Sequence, residues 1–150
     1  MITIRLANHS DLDALIEGNQ GVAFETEALQ LQETTLRPGI AAILDDANKG
    51  MYWVATRESQ VVGQTLITYE WSDWRCAPIW WLQSVYVWPE FRGQGVFRAL
   101  LTHIEQEANA AGAKDIRLYA DTGNDAAKAT YQRLGFSTGH YQVFEKPLTD

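Results

Sequence analysis

Ile2, Ile4 and Leu6 alternate with Thr3 and Arg5, the period of a short half-buried strand. Ser10-Asp-Leu-Asp13 has the spacing of a helix capping box, with Asp in the last place. Leu12, Leu15 and Ile16 then share one helical face, while residues 18–35 are polar and show no period. Pro38 suits a first helical turn. Ile40, Ile43, Leu44 and Ala47 follow at helical spacing, and Asn48-Lys-Gly50 ends the helix. Residues 51–57 and 61–70 predict two strands joined by Glu58-Ser-Gln60. Asp73, Arg75 and Pro78 mark 71–78 as a loop. Residues 79–87, rich in β-branched and aromatic side chains, predict a strand that Pro89 stops. Val96, Phe97, Leu100, Leu101, Ile104 and Ala108 make one apolar stripe, so Gly95 to Ala111 predicts a helix, ended by Gly112. A strand over 115–120 follows, then an Ala-rich helix over 125–134 and a last strand over 140–146. Asn124 is placed as that helix's N-cap, and Gly135 lies just past its end.

The order β, α, α, β, β, β, α, β, α, β predicts an α/β (α+β) fold on one mixed sheet. No linker, repeat or low-complexity stretch interrupts it, so residues 1–150 are expected to form a single domain. Composition narrows the function. Lys+Arg total 12 against 19 Asp+Glu, a net charge of −7, which argues against a general nucleic-acid or membrane-surface binder. One cysteine, Cys76, excludes an intrachain disulfide and a cysteine-built metal site. No signal-like start and no long apolar run are present, so the expected location is the cytoplasm. Five of the six tryptophans fall within residues 71–88, a concentration that needs a reason.

The segment that carries chemistry runs from Val85 to Arg98: strand, Pro-containing turn, Gly-rich loop, helix. Gly93 and Gly95 let successive N–H groups converge, and the helix start adds unpaired donors and a positive dipole end. Arg92 and Arg98 flank the turn and can pair with phosphate oxygens. The spacing fits neither a nucleoside-triphosphate loop nor a dinucleotide fingerprint. Taken alone, it is equally a tight strand–helix turn.

Val-x-Pro-x-x-Arg-Gly-x-Gly-Val, from Val87 to Val96, resembles the acetyl-CoA pyrophosphate loop of the GCN5-related N-acetyltransferases (GNAT). Asn124, Ala127, Tyr131 and Gly135-Phe136 are similar to that family's next motif, at the right distance. The resemblance implies a mixed central sheet splayed between two neighbouring strands and flanked by about four helices. It implies acetyl-CoA as cofactor, with no metal, and direct acetyl transfer to a primary amine of a small molecule or peptide. Backbone groups of Val85, Tyr86 and Val87 would meet the pantetheine arm. Amides of Arg92, Gly93, Gln94, Gly95, Val96, Phe97 and Arg98 would hold the pyrophosphate. Asn124, Lys128 and Tyr131 would complete the cofactor site. Two departures stand out: Phe97 replaces the family's usual small residue, and Tyr119 stands where many members carry a strand Glu as base.

A primary amine, with a pKa near ~10.4, must lose a proton before it attacks a thioester. A backbone N–H at a bulge over 85–87 is the expected oxyanion donor. Tyr131 is the candidate general acid for the leaving thiolate; its bland reading is a core tyrosine. Glu70, Asp73 and Glu25 are candidate bases; Glu70 and Asp73, each taken alone, read more readily as solvated turn carboxylates. His140 is a further candidate, although a lone histidine near a final strand is more often structural. Glu25, Trp71, Trp74 and Gln83 are assigned to the acceptor side, since aromatics with carboxylates suit a cation. The alternative for the tryptophans is a packed sheet face or a homodimer interface. Cys76 is expected to be inert. The competing functions are a non-catalytic CoA-binding or sensing module, and a binder of another phosphate ligand.

Overall fold

The computed structural model describes residues 1–149. The chain divides into two compact units, Met1–Tyr119 and Ala120–Asp150. The first unit holds a five-stranded sheet in the order β1 (Thr3–Leu6), β2 (Met51–Arg57), β3 (Gln60–Ser72), β4 (Ala77–Val87) and β5 (Ile116–Leu118). The first four strands pair antiparallel, and β5 joins β4 in parallel. Its helices are α1 (Leu12–Glu27), α2 (Glu33–Asp45) and α3 (Val96–Ala110). The second unit holds α4 (Asp125–Arg133). The mixed sheet and its four helices agree with the fold expected from the sequence. No helix among the described residues is long and apolar enough to cross a membrane.

Four local expectations are corrected. Asn8 and Asp11, not Ser10 and Asp13, form the capping box: the Asn8 N–H donates to Asp11 at 2.8 Å and the Ser10 N–H to Asn8 at 2.9 Å. Asp11 is also buried against Arg5 (2.8 Å), which draws the box toward β1. Pro38 lies in the second turn of α2, because that helix starts at Glu33. The 71–78 loop shrinks to Asp73–Cys76, since β3 runs to Ser72 and β4 starts at Ala77. Residues 140–146 form no strand; Tyr141 and Phe144 are 77% and 90% exposed. Strand propensity there is not matched by a ladder partner among the described residues.

Successive residues of β3 face opposite sides, and the two sides are covered differently. A Cβ on Gly63 would meet Val96 of α3 at 2.7 Å. The next residue, Gln64, stands against Gly18 of α1, where a Cβ would come within 2.2 Å of its amide oxygen. Below α3 the core holds Val96, Leu100, Leu101 and Ile104, all nearly fully buried. Below α1 and α2 it holds Leu15, Ile16, Ile40, Tyr52 and Val54.

Candidate active site

The two edges of β4 are paired over different lengths. β5 pairs only with Trp80, Trp81 and Leu82. Beyond Leu82 that edge has no ladder partner among the described residues, while β3 stays paired along β4 to Val87. The β3–β4 register shifts between Leu66, opposite Ser84, and Ile67, opposite Leu82, so Gln83 is the extra residue. The bulge is therefore at Gln83, not at 85–87 as expected. A bulge strengthens the local twist and frees backbone from the ladder, where β4 and β5 part. The exposed Gln83 side chain donates to the Thr68 hydroxyl at 2.9 Å.

Past Val87 the chain turns through Pro89–Phe91 into the loop of Gly93 and Gly95. Their φ angles of +73° and +82° lie in the left-handed region that favours glycine. A Cβ at either would meet nothing within 4 Å, so the loop faces open space. Glycine is required here for backbone conformation, and the space above it can take a ligand. α3 begins directly after Gly95, which offers no side chain to cap the first turn. Arg98 is exposed and Phe97 half-buried in that turn. Gln94 is turned aside, accepting from Arg57 (2.6 Å) and donating to the Glu90 carbonyl (3.1 Å).

Arg92 is held in place. Its Nε donates to the Val87 carbonyl and its Nη2 to Glu25 of α1, both at 2.8 Å. The other Glu25 oxygen accepts from the Tyr86 hydroxyl at 2.7 Å. Partial burial alone would raise the Glu25 carboxyl, but these bonds outweigh it and hold it below its ordinary value. Tyr86 is pushed up to about 12, by burial first and then by Glu25. Trp88 donates to Glu17 of the same helix at 3.0 Å. Glu25, assigned to the acceptor side from sequence, thus sits on the arginine that leads into the Gly-rich loop.

A second cluster lies at the closed end of the splay, on the α1 face of the sheet. Trp81 stacks on Tyr119 with centroids 4.6 Å apart, and Arg117 lies over the same indole at 5.9 Å. Trp81 donates to Glu70 at 3.1 Å, and Arg117 Nη1 is 3.8 Å from the other Glu70 oxygen. Glu70 and Trp81 are therefore neighbours two residues before the bulge. Trp80 points the other way, buried and edge-on to Tyr69 at 5.9 Å. Trp71 and Trp74 are 65% and 90% exposed at the tip of the β3–β4 hairpin. Asp73 sits there too, accepting from the Trp74 N–H at 2.9 Å. The sequence reading missed Arg117 and Glu17. The alternation Arg117-Leu118-Tyr119, running off the end of β5, was the available signal for Arg117, since alternate residues of an extended chain share a face.

In the second unit, the Asn124 side chain accepts from Ala127 N–H at 3.1 Å, the expected cap of α4. Lys128 donates to the Thr122 carbonyl at 3.0 Å and lies 3.6 Å from Asp125. Tyr131 is half-buried and edge-on to Phe136 at 6.0 Å, and burial raises its phenol above the ordinary value. His140 lies 4.3 Å from the Tyr141 ring.

A family model described as the acetyltransferase (GNAT) family matches residues 17–136. The chain is 32% identical over 119 residues to an aminoalkylphosphonate N-acetyltransferase of Salmonella typhimurium, covering 79% of this chain and 76% of that protein. It is 33% identical over 75 residues to a thialysine N-epsilon-acetyltransferase of Bos taurus, covering 50% and 44%. The crystal structure of a possible acetyltransferase from Clostridium difficile 630 superposes with a TM-score of 0.94 at 38% identity, covering 100% of this chain and 99% of that one.

Proposed function

The chain belongs to the acetyltransferase (GNAT) family, and on that premise we propose that it moves the acetyl group of acetyl-CoA to the primary amine of a small molecule. The observation that carries the cofactor is the loop of Gly93 and Gly95, open above its backbone, uncapped at the start of α3 and flanked by Arg92 and Arg98. That donor set fits a diphosphate. The open edge of β4 from Val85 to Val87 suits an extended pantetheine arm, which can pair with it as an added strand. Asn124 and Lys128 are proposed to complete the cofactor site.

Acetyl-CoA supplies an activated thioester carbonyl. This chain's residues supply the protons and the polarisation. The Gln83 bulge offers backbone N–H groups to the carbonyl oxygen. Tyr131, a phenol that is protonated at neutral pH with or without burial, is proposed to donate to the departing thiolate. Glu70 is favoured over Asp73 as the carboxylate that receives the amine's proton, because Trp81 holds it beside the splay while Asp73 sits at the hairpin tip. The Trp81–Tyr119 stack gives a cationic amine an aromatic approach, and Trp71 and Trp74 are proposed as its outer wall.

Amines of the two relatives' kinds, an aminoalkylphosphonate and thialysine, are the first acceptors to test. Free CoA thiol should appear when the protein meets acetyl-CoA and the right amine. Tyr131→Phe should lower kcat by about a hundredfold with the KM for acetyl-CoA unchanged. Unchanged turnover would remove Tyr131 as the acid. CoA binding without thiol release across a broad amine panel would favour the non-catalytic reading instead.

A further inference from the structure

We infer that Glu25 is a positioning residue for the cofactor's diphosphate: from the last turn of α1 it fixes the guanidinium of Arg92 before the ligand arrives. The inference rests on the acetyl-CoA reading above. Arg92 and Glu25 lie on unrelated parts of the sequence, and both are partly exposed, 45% and 39% at the side chain. An exposed ion pair of that kind does little for stability. This one is built into the fold at both ends. Arg92 is tied to the Val87 carbonyl through Nε, and its guanidinium lies 5.3 Å over the Tyr86 ring. Glu25 is tied to the Tyr86 hydroxyl. Tyr86 in turn lies against Gly21, where even a Cβ would come within 2.5 Å of the ring. The sequence of holds is Gly21, Tyr86, Glu25, Arg92, Val87.

The consequence follows from what a free arginine would lose. A long exposed side chain samples many rotamers, and ordering it on a ligand opposes binding. Here that ordering is already done. A guanidinium carries five N–H donors, and the bonds to Val87 and Glu25 use two, so donors are left for phosphate oxygens. The negative charge of Glu25 works against an anionic ligand, so its contribution is orientation rather than charge.

The test compares two acetyl donors, acetyl-CoA and S-acetylpantetheine, which lacks the diphosphate. Glu25→Ala should raise the KM for acetyl-CoA five- to tenfold and weaken calorimetric CoA binding by the same factor. The kcat should stay within twofold, the KM for S-acetylpantetheine should not move, and the melting temperature should hold. Tyr86→Phe, which removes one hold, should give a smaller effect of the same kind. Glu25→Gln, which keeps an acceptor oxygen, should recover part of the loss. An unchanged or tighter CoA affinity in Glu25→Ala overturns the inference, as does an equal loss with both donors. Failure of the unaltered protein to bind CoA overturns the functional reading and this inference together, so the two failures are distinguishable.

Discussion

Helices α1 and α3 cover opposite faces of the same strands and do so by opposite means. α3 brings large side chains to the sheet, and β3 meets them with a glycine: Val96 and Leu100 reach into the space over Gly63. On the other face the sheet brings the large side chains and the helix brings the glycines. Gln64 stands over Gly18, and Tyr86 stands over Gly21. The contrast shows that an apolar stripe marks a helix only where the helix supplies the filling. Where the sheet supplies it, the helix can be written in small and polar residues. It also divides the labour. The α3 face is filled mainly by the apolar side chains of that helix, whereas the α1 face also carries a polar line out to the Gly-rich loop.

Three substitutions test that contrast. Leu100→Ala should have the largest effect. Its side chain is almost completely buried, so the lost burial and the cavity should lower stability by about 2–5 kcal/mol in denaturant unfolding. Gly21→Ala should cost about 1–3 kcal/mol, since the Tyr86 ring must shift and disturb its hydrogen bond to Glu25 to make room. In a Tyr86→Ala background the same substitution should become stabilising by about 0.5–1 kcal/mol, because alanine is the better helix former once the space is empty. A cost that persists without the ring would break the contrast.

The smallest effect is expected at Asp11, which anchors the start of α1 to Arg5. Asp11→Ala should cost about 1 kcal/mol as a lost cap. The hydrogen bond from Arg5, more than the opposing burial, holds the Asp11 carboxyl below its ordinary value. A lowered folded value means stability that is present above the unfolded carboxyl pKa of ~3.9 and lost as pH falls through the folded one. The difference from the unaltered protein should therefore be full at pH 7 and vanish in strong acid.

The same contrast explains what the sequence made legible. α3 was predicted to within one residue at each end because its stripe faces an apolar sheet. The polar stretch over 18–35 showed no period, although α1 continues through it to Glu27. Its residues are engaged: Asn19 donates to the Tyr52 hydroxyl at 3.2 Å, and Gln20 accepts from the Leu31 N–H at 3.1 Å. Such pairings join residues far apart in the chain and leave no local signature. The hairpin was expected with a three-residue link, Glu58-Ser-Gln60; because Gln60 already pairs in β3, the structure tightens it to Glu58-Ser59. Both residues take positive φ, +50° and +67°, in a two-residue turn that glycine or asparagine usually signals. In the candidate site the Gly-loop was readable because backbone conformation demands glycine. The partners of Arg92 and Trp81 were not, since they come from other elements. The splay was legible only through resemblance, because it is the place where a ladder stops.

The placement of the tryptophans also gives the protein a set of optical reporters. Trp74 and Trp71 stand in water, whereas Trp80 and Trp53 are 4% and 6% exposed. A small quencher such as iodide should silence the first pair and leave the second emitting. Trp81 and Trp88 are half-buried near opposite ends of the unpaired β4 edge. With the hairpin pair quenched, a change in the residual emission would report events at either end of that cleft without an attached dye.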